Sequence, residues 1–180
     1  MTLRTDLAVI AEHVAQGSRV LDIGCGDGAL MAALRDTRGV DARGLSVIQG
    51  DADIDLAGYP DASFDYAILS QTLQTARAPD LVLDHLLRIG RRAFVSFPNF
   101  AHWRVRLSLL WGGRMPVTRQ LPESWYDTPN IHHVTIDDFR SFVKTRGIIV
   151  EDAWFLSGEK RTGAGAANLL AEHAVFLLRR

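Results

Sequence analysis

Cysteine is nearly absent: Cys25 is the only one in 180 residues. An intramolecular disulfide is excluded, and a reducing, cytoplasmic setting is the simplest expectation. No apolar run approaches the roughly 18–20 residues of a membrane-spanning helix, and the N-terminus lacks the apolar stretch of a secretory signal, so a soluble protein with no membrane contact is expected. Neither sign of charge dominates. Twenty Lys and Arg against 21 Asp and Glu leave a net charge of −1. With the cations spread along the chain, nucleic acid is not an expected partner, because affinity for phosphate backbones comes mainly from clustered cations. Repeats, low-complexity tracts and linkers are missing too. What remains is an ordinary globular composition, 47% hydrophobic and 23% charged, of a length that suits one domain over 1–180.

Helical and strand patterns alternate along the chain. Residues 6–16 read as a helix with Leu7, Ile10, Ala11 and Val14 on one face and Gly17 past its end. A buried strand over 19–23 runs into a glycine-rich turn, and a second helix spans 29–38 before Gly39. Phe64–Ser70 is the next strand, followed by a helix from Pro79 to a Gly90 stop and a strand over 92–97. Later, Thr135 and Asp138 fit a capping box opening a helix that Gly147 ends. Residues 148–156 and 173–178 are two final strands with no long helix between them, so they should pair antiparallel. The pattern implies an α/β fold with a mostly parallel sheet closed by an antiparallel C-terminal hairpin, and helices on both faces.

The sharpest local signal is Val20-Leu21-Asp22-Ile23-Gly24-Cys25-Gly26-Asp27-Gly28. Alternating glycines between a buried strand and a helix let the backbone turn tightly and a ligand approach closely, and the helix N-terminus adds free N–H groups. The spacing is G-x-G-x-G, not the G-x-G-x-x-G of dinucleotide binders. Asp22 would repel a pyrophosphate but accept hydrogen bonds from an ammonium group. This favours S-adenosylmethionine or S-adenosylhomocysteine at Asp22, Gly24, Cys25, Gly26 and Gly28, against the plain alternative of a turn without a ligand. Cys25, with no base beside it in sequence, is expected to be a small lining residue and not a reactive thiol. These features, with the sheet pattern, resemble the Rossmann-like class I methyltransferase fold. That resemblance implies that Asp51 and Ala52, after Val47-Ile48-Gln49-Gly50, meet the adenine; an Asp-capped turn is the alternative. It also implies that Ser70 and Gln71, leaving the Phe64-Asp65-Tyr66 strand, approach the cofactor, and that Gln74 faces substrate or partner.

Residues 99–134 differ in kind. They hold Trp103, Trp111, Trp125 and Tyr126 beside Arg104, Arg106, Arg114 and Arg119, with three of the six prolines. The segment follows a strand's C-terminal end, where open α/β sheets place their ligand crevice, so a cap is expected there. Asn99, His102, Trp103, Arg104, Tyr126 and His132 are its candidate substrate or partner residues. His102, His132 and His133 include a candidate general base, or are structural; no catalytic residue is assigned. Tryptophans are expected more often in a core than around a ligand, and the arginines either clamp an anion or form a solvated face. Phe100, Trp103 and Trp111 beside Arg104 and Arg106 have the composition of an interface hot spot. No carboxylate or cysteine stands at ligand spacing from the histidines, so no metal site is expected.

Three stretches carry a more specific resemblance: Ser96-Phe97-Pro98-Asn99-Phe100-Ala101-His102-Trp103-Arg104-Val105-Arg106-Leu107, Gly112-Gly113-Arg114-Met115-Pro116-Val117-Thr118 and Trp125-Tyr126-Asp127-Thr128-Pro129-Asn130-Ile131-His132. With Leu69–Gln74 and Ile89–Ala93, they resemble the methionine-biosynthesis MetW family over nearly the whole chain. The resemblance implies a bacterial methionine-pathway protein that binds S-adenosylmethionine or S-adenosylhomocysteine and assists or regulates homoserine O-acyltransferase. The alternative is a methyltransferase acting on a small molecule. A nucleic-acid methyltransferase is disfavoured by the neutral charge and by the absence of an N/D-P-P-Y/F motif.

One stretch is too short. Between Gly39 and Asp51 this fold requires a strand, a crossover helix and another strand, roughly two dozen positions. Residues 40–50 supply eleven. A break is therefore expected near Leu45–Ser46, where a segment is either deleted or lost from the printed chain. In the resembled family that segment carries the acidic residue that grips the ribose.

Overall fold

The computed structural model describes residues 3–39, 51–118 and 121–180. The expected break at Leu45–Ser46 lies outside the described residues. Among those described, no helix is long and apolar enough to cross a membrane.

Six helices and six strands are described: α1 Thr5–His13, β1 Val20–Ile23, α2 Ala29–Arg38, β2 Phe64–Ser70, α3 Pro79–Ile89, β3 Gly90–Pro98, α4 Trp103–Gly112, α5 Ile136–Thr145, β4 Ile149–Ser157, β5 Lys160–Arg161, α6 Ala167–Leu170 and β6 His173–Arg179. The sheet order is β1-β2-β3-β6-β4-β5. β1, β2 and β3 are parallel, with Asp22 opposite Ile68 and Ile68 opposite Phe94. β6 runs antiparallel between β3 and β4. The two last long strands therefore pair as expected, but β6, not β4, docks on the parallel part, and β5 and α6 lie between them in sequence.

Strand side chains alternate between the two faces, so one strand feeds two cores. Ile68, Phe94 and Val175 pack with Val9 and Ile10 of α1, Leu30 and Leu34 of α2, and Trp154. Their neighbours Leu69, Val95 and Phe176 pack on the other face with Leu83 and Leu86 of α3 and Phe139 and Val143 of α5. Phe139 lies 4.8 Å from both Phe97 and Phe176, centroid to centroid, and fixes α5 to the sheet. Helices thus cover both faces, as the alternating pattern requires.

Two boundaries differ from the sequence reading. α1 ends at His13, three residues early, because Val14 turns extended and buries its β-branched side chain in the core. Gly90 does not stop α3 through a left-handed turn; its φ is −99°, and it is already the first residue of β3. Its small size is needed for another reason. A Cβ there would lie 2.7 Å from the Ala67 backbone nitrogen, so the helix passes straight into a strand only with glycine at the join. The Thr135 cap holds as expected: its hydroxyl accepts from the Asp138 backbone N–H at 3.1 Å.

Asp6 is the unexpected member of the core side of α1, at 5% exposure. Burial alone would push its carboxyl up, but Arg4 and the Ser96 and Ser70 hydroxyls hold it below the ordinary carboxylate value. One of its oxygens accepts from Ser96 Oγ at 2.8 Å and from Ser70 Oγ at 3.0 Å. Arg4 donates to both its oxygens, each at 3.1 Å. The contacts join the start of α1 to the C-terminal ends of β2 and β3. Replacing Asp6 by Ala strands these donors, and chemical denaturation should show a loss of roughly 3 kcal/mol or more. A loss below about 1 kcal/mol, typical of a surface pair, would show that the network carries little stability.

Candidate functional site

β1 ends at Ile23, and Gly24, Gly26 and Gly28 follow it with φ of 74°, 55° and 75°. All three lie in the left-handed region that disfavours residues with a Cβ. A Cβ at Gly24 would collide with the Thr72 hydroxyl, so glycine there is required by the protein itself. At Gly26 and Gly28 a Cβ would meet no atom of the described residues within 4 Å. Their bareness faces open space, which is the shape of a cradle for a ligand. Asp27 Oδ1 accepts from the Ala29 N–H at 3.1 Å beside the start of α2, whose N-cap is Gly28.

This loop lines a cavity of about 770 Å³, a volume suited to a ligand of nucleoside size or larger. Asp22, Gly24, Cys25, Gly26, Gly28 and Ser70, all singled out from sequence, lie on its wall. Leu3, Arg4 and Leu7 close it from the N-terminal side, and Leu30, Ala33 and Asp36 of α2 from another. The sequence reading placed neither Arg4 nor any residue of the first helix at this site.

Asp22 decides the chemistry. Its Oδ1 is buried and has no hydrogen-bond partner among the described residues. Burial raises its carboxyl to about 6, with the Arg4 charge opposing only in part. A buried acceptor without a donor costs free energy until something supplies one. An ammonium group supplies both donor and charge, so the residues present fit the amino-acid end of an adenosyl ligand.

The remaining expected residues divide. Asp51, Ala52 and Gln71 are not among those lining the cavity. Asp51 Oδ1 accepts from the Asp53 N–H at 2.9 Å, the local turn contact that was the alternative to an adenine role. Gln71 has a left-handed φ of 54° and turns the chain out of β2, with its side-chain nitrogen 3.2 Å from His173 Nδ1. Asn99 is fully buried, donates to the Asn168 and Ala171 carbonyls at 3.0 and 2.9 Å, and accepts from the Ala101 N–H at 3.0 Å; it moors the start of the 99–134 segment, which was expected to cap the site but contributes no residue to the cavity lining. His102 is buried at the N-cap of α4, where its Nδ1 accepts from the Arg104 N–H at 3.4 Å. Burial lowers its basicity. Its place is structural, and none of His102, His132 and His133 lines the cavity. Gln74 and His132 meet through the backbone, the His132 N–H donating to the Gln74 carbonyl at 3.0 Å.

The expectation that the tryptophans of the 99–134 segment belong to a core fails. Trp103, Trp111 and Trp125 are exposed, Trp111 by 77%, and Tyr126 is exposed by 70%. Arg104 stacks over Trp103 at 5.2 Å. α4 buries only Val105, because too few apolar residues share one side of it to make a core-facing stripe. Among the described residues no group of three or more His, Cys, Asp or Glu could hold a metal ion.

The family model described as methionine biosynthesis protein MetW matches residues 4–178. The chain belongs to the MetW family. A bifunctional methionine biosynthesis protein MetXA/MetW from Rhodopirellula baltica is 33% identical over 207 positions, covering all of this chain and 33% of that protein. The chain therefore spans about a third of the length of that curated relative. Solved structures agree on the fold. An S-adenosylmethionine-dependent methyltransferase from Mesorhizobium loti superposes with a TM-score of 0.64 at 17% identity, covering 96% of both chains. One from Archaeoglobus fulgidus gives 0.62 at 14%, covering 96% of this chain and 90% of its own. The [4+2]-cyclase SpnF gives 0.62 at 16%, covering 97% and 80%. At these identities the likeness shows the fold alone, and a cyclase among the neighbours illustrates that the fold does not fix the reaction.

Asp22 also carries a stability prediction. Its folded value of about 6 stands above its ordinary 3.8, so the folded state binds the proton more tightly. The resulting penalty is fully present above about pH 6 and vanishes below the ordinary carboxyl value. Asp22→Asn removes the charge, and urea titration at pH 7 should find the variant more stable by on the order of 1–3 kcal/mol. A variant no more stable than wild type at pH 7 would show that the carboxylate is not under this strain.

Proposed function

We propose that this MetW-family protein binds S-adenosylhomocysteine or S-adenosylmethionine in the Asp22–Gly28 cavity and serves homoserine O-acyltransferase as an accessory or regulatory partner. The observation that carries the ligand is the unpaired Asp22 oxygen beside the bare Gly26 and Gly28. The fold's solved neighbours named as S-adenosylmethionine-dependent methyltransferases support the same ligand class. The partner reading rests on the Rhodopirellula baltica relative, whose name joins MetXA and MetW in one protein.

The cap supplies a surface for such a partner. Leu110 and Trp111 are about three-quarters exposed, at 74% and 77%. Residues 99–118 contain Arg104, Arg106 and Arg114 and no acidic residue. Exposed tryptophan flanked by arginine is the composition of interface anchors, and it suits a partner face that is apolar with an acidic rim. The absence of all three cap histidines from the cavity wall leaves the methyltransferase alternative without the base those residues were expected to offer.

Homoserine acyl transfer, assayed with acetyl and succinyl donors with and without this protein, tests the role. Added protein should raise the acyltransferase activity, and S-adenosylhomocysteine should change the size of that effect. No effect on either donor, together with methyl transfer to a small molecule, would favour the enzyme reading. At the surface, Trp103→Ala and Trp111→Ala should each weaken association by tenfold or more, on the order of 2 kcal/mol for an anchor. Both should leave S-adenosylhomocysteine affinity within about twofold, well under one interface anchor's worth. Loss of ligand affinity without loss of association would place Trp103 at the ligand instead.

A further inference from the structure

The cavity wall is unbalanced in charge. Asp22, Asp27 and Asp36 line it, and among its described residues Arg4 is the one cation. A ligand that ends in an ammonium finds its acceptor at Asp22. A ligand that also carries a carboxylate meets three like charges and must be brought to a cation to offset them.

Arg4 is placed and held for that task. Its Nε and Nη2 donate to the two Asp6 oxygens at 3.1 Å, and Nη2 also donates to Ser70 Oγ at 2.8 Å. Asp6 is in turn fixed by Ser96 and Ser70. These bonds lock the guanidinium plane, so little rotamer entropy is left to lose on binding. Nη1 has no hydrogen-bond partner among the described residues, and the side chain is 56% exposed at the cavity edge. Two donors therefore remain in a fixed plane beside Asp22. Ser70 serves both elements, anchoring Asp6 below and Arg4 above.

We infer that Arg4 is the carboxylate-binding residue of this cavity and that Arg4 and Asp22 together read the zwitterionic end of an α-amino acid. The inference rests on the adenosyl-ligand reading above and deepens it. It selects adenosyl thioethers and sulfonium compounds that keep their amino-acid tail over nucleosides that have lost it. The rival place for the carboxylate is the N-terminus of α2, where backbone N–H groups point at the loop.

Calorimetric titration of wild type and Arg4→Gln with S-adenosylhomocysteine and with methylthioadenosine, which lacks the tail, tests this. Wild type should prefer S-adenosylhomocysteine. Arg4→Gln should lose about tenfold or more of its affinity for that ligand, the worth of a charge-assisted pair, while methylthioadenosine affinity stays within about twofold, well below one such pair. Arg4→Lys keeps the charge and a contact to Asp6, so it should retain an intermediate preference; it carries the test if loss of the guanidinium loosens α1. Equal losses for both ligands would show that Arg4 merely props the wall, and an unchanged preference would place the carboxylate on α2. Either result overturns the inference while leaving the adenosyl reading intact. Binding of neither ligand by folded wild type would overturn that reading, and the inference with it.

Discussion

Asp6 ties the N-terminal helix to the mouth of the sheet. It is a carboxylate placed where water cannot solvate it, and the protein answers with two serine hydroxyls from neighbouring parallel strands and a bidentate arginine. Ser70 and Ser96 stand opposite each other in the β2–β3 register, so one carboxylate spans both strand ends. Because α1 is held there, Leu3, Arg4 and Leu7 form a wall over the glycine loop. Without that tie, the loop would face open solvent and Asp22 would be solvated. The cavity is thus a consequence of how one buried charge is satisfied.

Asp22 lies close by and receives the opposite treatment. Both carboxylates are largely removed from water, yet donors pull Asp6 below its ordinary value while Asp22, with an unpartnered oxygen, is raised to about 6. Such a contrast within one site marks a group whose partner comes from outside. The shape beside it agrees, since Gly26 and Gly28 leave space that no atom of the described residues fills. The 99–134 segment, by contrast, exposes Trp103, Trp111, Trp125 and Tyr126 to solvent, and none of its residues is among those lining this cavity. In the proposed function, ligand and partner engage different parts of the chain, the loop after β1 and the segment after β3.

Much of the fold was legible because its signals are local. The 29–38 helix, the Phe64–Ser70 strand and the Thr135 cap follow from periodicity and capping chemistry, and the structure places them at those residues. The glycine loop was legible for the same reason. Asp6 and Arg4 were not. An Arg-x-Asp at a helix start looks like a solvated pair, and nothing nearby reveals serines 64 and 90 positions away. One signal was present: Asp6 sits three and four residues before Val9 and Ile10, on the buried face of the helix. The cap misled in the other direction. Its tryptophans have core-like hydrophobicity, but burial depends on whether a helix owns a continuous apolar stripe, and α4 does not. Gly90 was recognised as a boundary for the wrong reason, because close approach of Ala67 is a tertiary fact.

The pH dependence of S-adenosylhomocysteine affinity tests the central claim most directly. The charged groups around Asp22 are Arg4, Asp27 and Asp36 on the cavity wall, with Asp6 behind Arg4. Burial raises Asp22 to about 6. If its ionised oxygen holds the ligand's ammonium, affinity measured by calorimetry from pH 5 to 8 is constant at the upper end. Below the Asp22 value it falls, approaching about tenfold per pH unit as one proton must be displaced. A pH-independent affinity across that range would contradict the account, because it would mean that the ligand is held without Asp22.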